Sequence, residues 1–175
     1  MGAPLKRILT QQFFNRPTCD IAKELLGKFL VRKKGDKIIA AMITDVEAYV
    51  GLEDKASHAS RGKTPRTEVM FGKAGYWYVY LIYGMHYCLN IVTEQEEYPA
   101  AILIRGVEGI SGPGRVTAYF KIDKRLNAKS SSRSSNLWIE DRGVKIKPHR
   151  IRRGKRIGVE YAGEWKDKLW RFSII

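Results

Sequence analysis

The apolar run Ile38-Ile39-Ala40-Ala41-Met42-Ile43 passes without a break into Thr44-Asp45-Val46-Glu47-Ala48-Tyr49-Val50. Such a β-branched stretch builds a buried strand, and its second half carries two carboxylates into the interior. Side chains alternate along a strand. Ile43, Asp45, Glu47 and Tyr49 are therefore expected on one face, and Met42, Val46 and Val50 on the other. A buried carboxylate is costly unless it is paired or used. The fold must then bring partners to Glu47. A tyrosine two residues on, with His58 close behind in Asp54-Lys55-Ala56-Ser57-His58, suggests a flat pocket beside an acid or base.

The chain has 175 residues, enough for one domain with a real core, and 44% of them are hydrophobic, which excludes a disordered tail. Its net charge of +14 argues for a polyanionic partner, nucleic acid first and an anionic membrane surface well behind. No apolar run approaches membrane-spanning length. Cys19 and Cys88, the two cysteines, make neither a disulfide framework nor a zinc site and read as reduced structural thiols. The start, Met1-Gly2-Ala3-Pro4-Leu5-Lys6-Arg7, has no signal-peptide apolar region. The expected location is the cytoplasm, at the nucleoid, in a prokaryote or the nucleus in a eukaryote.

Pro17-Thr18-Cys19-Asp20 opens a helix that Gly27 stops. Residues 28–32 read as a strand, and 51–75 as a long, functional loop. Tyr76-Trp77-Tyr78-Val79-Tyr80-Leu81-Ile82 is an aromatic strand. Tyr83-Gly84-Met85-His86 turns it back into residues 87–92. A further strand covers 100–107, and Gly112-Pro113-Gly114 starts a helix to about Ile122. The serine-rich basic stretch 124–136 is expected to be mobile. Trp138-Ile139-Glu140 is a short strand, and 156–161 and 168–175 are expected to be closing strands. Residues 142–156 hold eight basic residues and no acid, which suggests a phosphate-facing surface. The whole predicts a single α+β domain over 1–175, with a curved, mostly antiparallel sheet, flanking helices and a protruding β-hairpin.

Several residues suit chemistry. Glu47 could be a general base if ionised and near water; a strand carboxylate paired to arginine is the plainer alternative. Arg105, opposite in strand face to Ile102 and Ile104, could keep it charged and donate to that water. Asp45 and Glu47 together would also fit a glycosidase pair. Tyr49, His58 and Tyr80 could wall a base pocket, since stacking on an aromatic face is worth about 1–3 kcal/mol per base; ordinary core packing is the alternative. Tyr83-Gly84-Met85 could be an apolar wedge between base steps or a tip buried on the domain. Gly112-Pro113-Gly114 offers free backbone N–H groups to an anion.

These residues together resemble the alkyladenine (3-methyladenine) DNA glycosylase family. The resemblance rests on Asp45-Val46-Glu47-Ala48-Tyr49, Glu53-Asp54-Lys55-Ala56-Ser57-His58 and Arg61-Gly62-Lys63-Thr64-Pro65-Arg66. It continues through Met70-Phe71, Tyr78-Val79-Tyr80-Leu81-Ile82-Tyr83-Gly84-Met85, Cys88-Leu89-Asn90-Ile91 and Ile102-Leu103-Ile104-Arg105. It ends with Gly112-Pro113-Gly114 and Ala162-Gly163-Glu164-Trp165. These blocks fall in order across most of the chain.

The resemblance implies roles. Glu47 matches the general base, Arg105 the arginine that helps hold the nucleophilic water, and Ile157 the backbone carbonyl that also holds it. Tyr49, Ala56, His58 and Tyr80 match the pocket for the flipped base. Asn90 matches a residue that crowds the exocyclic amino group of guanine. Tyr83, with Gly84 and Met85, matches the plug that fills the duplex. Arg61, Arg66, Gly112, Gly114 and Arg115 match DNA contacts. The implied partner is double-stranded DNA containing damaged purines, the implied mechanism needs neither metal nor cofactor, and a monomer is the expected state. The connection between Arg105 and Gly112 is shorter than in many members, and His86 stands where an aromatic is common. A non-catalytic nucleic-acid-binding module, and a lyase using Lys55 as a Schiff base, are the competing readings.

Overall fold

The computed structural model describes residues 5–175; the end of the chain read above as lacking a signal peptide lies, for Met1 to Pro4, outside the described residues. The strands are β1 (Arg7–Ile8), β2 (Phe29–Lys34), β3 (Lys37–Val50), β4 (Trp77–Ile82), β5 (His86–Val92), β6 (Ala100–Val107), β7 (Ile110–Ser111), β8 (Leu137–Asp141), β9 (Ile151–Gly154) and β10 (Arg171–Ile174). The α-helices are α1 (Gln11–Phe14), α2 (Thr18–Leu25) and α3 (Pro113–Tyr119), and short 3-10 turns fill several loops. The sheet order is β1-β8-β2-β3-β6-β5-β4, every pairing antiparallel, with β10 on β3, β9 on β10 and β7 on β6. This is the α+β architecture expected, with β4 and β5 as its hairpin.

β3 is the spine. Its first half pairs with β2, from Lys37 to Met42. Its second half pairs with β6 on one edge and with β10 on the other. The register with β6 slips twice: Thr44 is an extra residue on β3 between Ile43 and Asp45, and Arg105 is an extra residue on β6 opposite the step from Asp45 to Val46. A bulge of this kind adds a residue and resets the alternation. Ile43 therefore lies in the core with Val46 and Ala48, not on the face of Glu47 as strict alternation predicts. Beyond the bulge the period of two holds throughout. Val46, Ala48, Ile102, Ile104, Leu89, Ile91, Trp77 and Val79 face the core beneath α2 and α3. Burying one such large side chain contributes about 1.5–3 kcal/mol. The opposite face carries Glu47, Arg105, Asn90 and Tyr80, and it is not filled.

Three other expectations change. Residues 124–136 form a hydrogen-bonded strap along the free edge of β4. Trp77 N–H donates to the Lys129 carbonyl at 2.8 Å, Ala128 N–H to the Trp77 carbonyl at 2.8 Å, and Val79 N–H to Asn127 Oδ1 at 3.0 Å. An exposed edge strand invites association with other chains, and this strap covers it. Residues 156–161 form no strand; they lead into a 3-10 segment, Glu160–Asp167, kinked at Gly163. The helix from Gly112 ends at Tyr119, because Lys121 adopts a positive φ of 53°.

Asn127→Ala leaves the Val79 N–H without its acceptor. The variant is expected to lose about 1–3 kcal/mol of stability, measured by urea denaturation. An unchanged midpoint would show that the strap does not secure the β4 edge.

Candidate active site

The open face of β3, β6, β5 and β4 forms the floor of a cavity of about 410 Å³. Alternation places Ala101, Leu103 and Arg105 of β6, Cys88 and Asn90 of β5, and Tyr78 and Tyr80 of β4 along it. The loop after β3 supplies the opposite wall. Asp54 accepts from the Val50 and Ala56 N–H groups at 3.0 and 3.1 Å, which turns the chain back. The Ser57 hydroxyl then caps the 3-10 turn His58–Arg61 by accepting from Ala59 N–H. That turn holds His58 against Tyr80, with ring centroids 4.6 Å apart and near edge-to-face. Tyr49, Ala56, Arg66, Ile157 and Tyr83 also line it.

Glu47 lies behind this lining with no exposed surface. Its Oε1 accepts from the Ile157 N–H at 2.8 Å, and its Oε2 from the Tyr49 hydroxyl at 2.8 Å. Arg105 Nε stands 3.6 Å from Oε1 and 3.9 Å from Asp45 Oδ2, too far for a hydrogen bond to either. It is a buried donor without a partner among the described residues. A carboxylate has about four acceptor positions, so Glu47 has room for one more donor on the side Arg105 faces. Arg105 does not leave Glu47 an ordinary carboxylate. Burial raises the Glu47 pKa, and Arg105, the Ile157 N–H and Tyr49 offset this only in part. Tyr49 stays protonated because burial and the Glu47 carboxylate raise its pKa well above the usual value. It is therefore the donor of the pair.

Asp45 is held by Arg171 of β10, which grips it with two bonds of 3.0 and 2.7 Å. Ile157 meets Glu47 through its N–H. Asn90 is buried, its Nδ2 donating to the Tyr78 carbonyl at 3.2 Å. The hairpin tip is not packed on the domain, since Tyr83 is 92% and Met85 73% exposed. Tyr83 and Gly84 both take positive φ, 51° and 64°, a conformation costly for a bulky residue. Arg66 reaches over the Tyr80 ring, 5.3 Å from its centroid. Arg61 and Arg115 are exposed and do not line the cavity. Gly112 and Gly114 sit at the start of α3; a Cβ on Gly114 would meet His86 at 3.1 Å. Sequence reasoning misses Tyr78, Asp54, Arg156 and Tyr161. Tyr78 and Asp54 lie within the aromatic strand and the segment Asp54-Lys55-Ala56-Ser57-His58, whereas nothing local separates Arg156 from the basic run around it.

An arginine and a buried glutamate back an aromatic slot, and an exposed tyrosine overhangs it on a strongly basic chain. Residues 12–175 match the sequence profile of the methylpurine-DNA glycosylase family. The chain belongs to that family. It is thereby a DNA glycosylase, a hydrolase of base excision repair. It is 44% identical to a protein of Methanocella arvoryzae over 94% of this chain and 91% of that one. It is 46% identical to one of Legionella pneumophila, over 96% and 94%, and 42% identical to one of Rickettsia felis, over 95% and 93%. All three carry the name "Putative 3-methyladenine DNA glycosylase". Among the described residues no group of three His, Cys, Asp or Glu side chains is placed to hold a metal ion, and no helix is long and apolar enough to cross a membrane.

Burial lowers the His58 pKa from 6.5 to about 4, with Arg66 and Arg61 adding to the shift. His58, which shares a 3.0 Å hydrogen bond with the Tyr78 hydroxyl, is therefore neutral near pH 7. The unfolded chain takes up this proton first, so the contribution to stability is complete above about 6.5 and is lost as pH falls through about 4. Denaturation midpoints of the glycosylase are expected to fall across that window, and less steeply in His58→Gln. A His58 ring signal titrating at its ordinary value by NMR would contradict this.

Proposed function

We propose that this glycosylase flips an alkylated or deaminated purine out of double-stranded DNA and hydrolyses its N-glycosidic bond with a water activated by Glu47, leaving an abasic site. The observation that carries the reading is the buried Glu47 carboxylate, held by two hydrogen bonds and facing the unpartnered Arg105 donor at the back of an aromatic cavity. A base inside a duplex is out of reach of such a cavity, so it must be extruded. Damage that weakens pairing or stacking makes extrusion cheaper and supplies part of the selectivity. The electron-poor purine stacks between Tyr49 and the His58–Tyr80 pair. Asn90, fixed by its bond to the Tyr78 carbonyl, crowds an exocyclic amino group such as that of guanine. The names of the relatives favour 3-methyladenine, and 7-methylguanine, ethenoadenine and hypoxanthine fit the same slot.

The water sits between Arg105 and Glu47, with the Ile157 carbonyl as its third partner. Glu47 takes the proton as the water attacks C1′ and the bond to the base breaks. The same carboxylate stabilises the positive charge developing on the sugar, an interaction made strong by its dry surroundings. Tyr83 fills the gap left in the duplex. Its exposure and its strained backbone suit a residue that gains its contacts only on DNA. Arg61, Arg66, Arg115, Gly112, Gly114 and the basic run of 142–156 hold phosphates, which makes binding steeply salt-dependent. The chain acts as a monomer, in the cytoplasm wherever the cell has no nucleus.

Incubation with alkylated duplex should release free 3-methyladenine, and a duplex carrying hypoxanthine should release that base. No release from any of the four lesions would refute the assignment. Glu47→Gln should cut single-turnover release by about 10²–10⁴-fold and leave duplex binding nearly intact; a non-catalytic module would be indifferent to the change. Because the Glu47 pKa is raised, the wild-type rate should fall as pH drops through a value above the ordinary carboxylate range.

Tyr83→Ala should lose activity on duplex far more than on single-stranded substrate, with an unchanged melting temperature. Equal loss on both substrates would count against the plug.

A further inference from the structure

A second buried charge lies one residue from the Glu47 contact. Arg156 and Asp54 form an ion pair with both side chains fully buried. Arg156 Nη1 donates to Asp54 Oδ2 at 2.6 Å and to the Ala48 carbonyl at 2.9 Å. Its Nη2 donates to Asp54 Oδ1 at 2.8 Å and to the Trp165 carbonyl at 3.1 Å. The guanidinium also lies over the rings of Tyr49 and Trp170, 4.8 and 5.1 Å from their centroids. Asp54 in turn fixes the Val50 and Ala56 N–H groups.

Those contacts converge. The three residues that follow Glu47 are each held by this pair: Ala48 by its carbonyl, Tyr49 by its ring, Val50 by its N–H. Ile157, whose N–H grips Glu47, is bonded directly to Arg156. Ala56 and its neighbour Ser57 line the base cavity. A buried ion pair is on average no more stabilising than packed apolar groups of the same volume. Stability alone therefore does not account for the arrangement. Geometry does, because a planar guanidinium can hold a carboxylate, two carbonyls and two ring faces at once, and an ammonium cannot.

We infer that Arg156 and Asp54 are positioning residues that set the Tyr49 ring and the Ile157 N–H against Glu47. The pair touches neither the flipped base nor the water. It fixes two of the groups that do the work: the tyrosine that donates to Glu47 and walls the slot, and the backbone N–H on the other carboxylate oxygen. The inference rests on the glycosylase reading only in taking Glu47 as the base.

The test uses the full chain with Arg156→Lys, Arg156→Met and Asp54→Asn. The first readout needs no DNA: titration of the Glu47 carboxyl carbon by NMR. Of the other charged or titratable groups facing Glu47, Arg105 and Asp45 make no contact with the pair, whereas Tyr49 is held by Arg156 and loosens with it. Loosening the Ile157 N–H bond should move the Glu47 titration upward. The second readout is single-turnover release of hypoxanthine from duplex. It should slow by about 10–100-fold, while the duplex Kd stays within about threefold. The acid limb of the rate should move with the Glu47 titration, and Arg156→Lys should lose less than Arg156→Met. If Arg156→Met fails to fold, Arg156→Lys and Asp54→Asn carry the comparison. A folded variant with the wild-type Glu47 titration and the wild-type rate would overturn the inference. A shifted titration in an enzyme whose wild type releases no base would uphold the positioning and sink the glycosylase reading.

Discussion

The desolvation of Glu47 governs the arrangement around it. An isolated carboxylate removed from water carries a large penalty, and the chain meets it with elements from across the sequence. Arg105 arrives on β6, Tyr49 from two residues further along β3, and the Ile157 N–H on the segment after β9. Asp45 stands beside it with Arg171 from β10 as its own partner. The partners do not cancel the penalty, and the pKa stays raised. The residual cost has a use on the proposed mechanism: a carboxyl of higher pKa is a better proton acceptor, provided the solution is basic enough to ionise it.

That cluster exists because β3 changes role at Thr44. Before the bulge the strand is an ordinary member of a sheet with β2. After it, β10 takes the edge that β2 has left, while β6 holds the other edge. The extra residue keeps Ile43 in the core and still turns Asp45 and Glu47 to the open face. Without it, one of the two halves would present its side chains to the wrong side. The pleat then carries the same division across β6, β5 and β4, with a dry core below and the slot above.

Much of this is legible in the sequence, for a definite reason. Alternation holds through residues 77–80 and 101–105, so Tyr80 and Arg105 fall on the open face, and Tyr78 with them; past the slip in register at Arg105, Val107 turns back into the core. The hairpin tip is legible in chemistry but not in placement, since nothing local tells an exposed Tyr83 from a buried one. The bulge is not legible, because Ile43-Thr44-Asp45 carries neither glycine nor proline to mark it. The strap of 124–136 reads as loose because its serines and basic residues look solvated. Its order comes from backbone groups of β4 far away in the sequence. Arg156 fails for the same reason. Among eight basic residues it is the one buried, and its partner Asp54 is a hundred residues earlier.

The short connection after Arg105 can be judged on the same physical grounds. Residues 106–111 close as a hairpin of their own, pairing Gly106 with Ser111 and Val107 with Ile110. Gly109 takes the positive φ of 77° that the turn requires. The Gly112 N–H then donates back to the carbonyl of Arg105 at 2.9 Å, and Pro113 reaches the cavity wall. A longer loop is not needed to place Arg105, since the strand and its own return hold it from both sides. What a longer connection could add is contact with DNA outside the slot. The position of Arg105 against Glu47 therefore does not depend on the length of this connection.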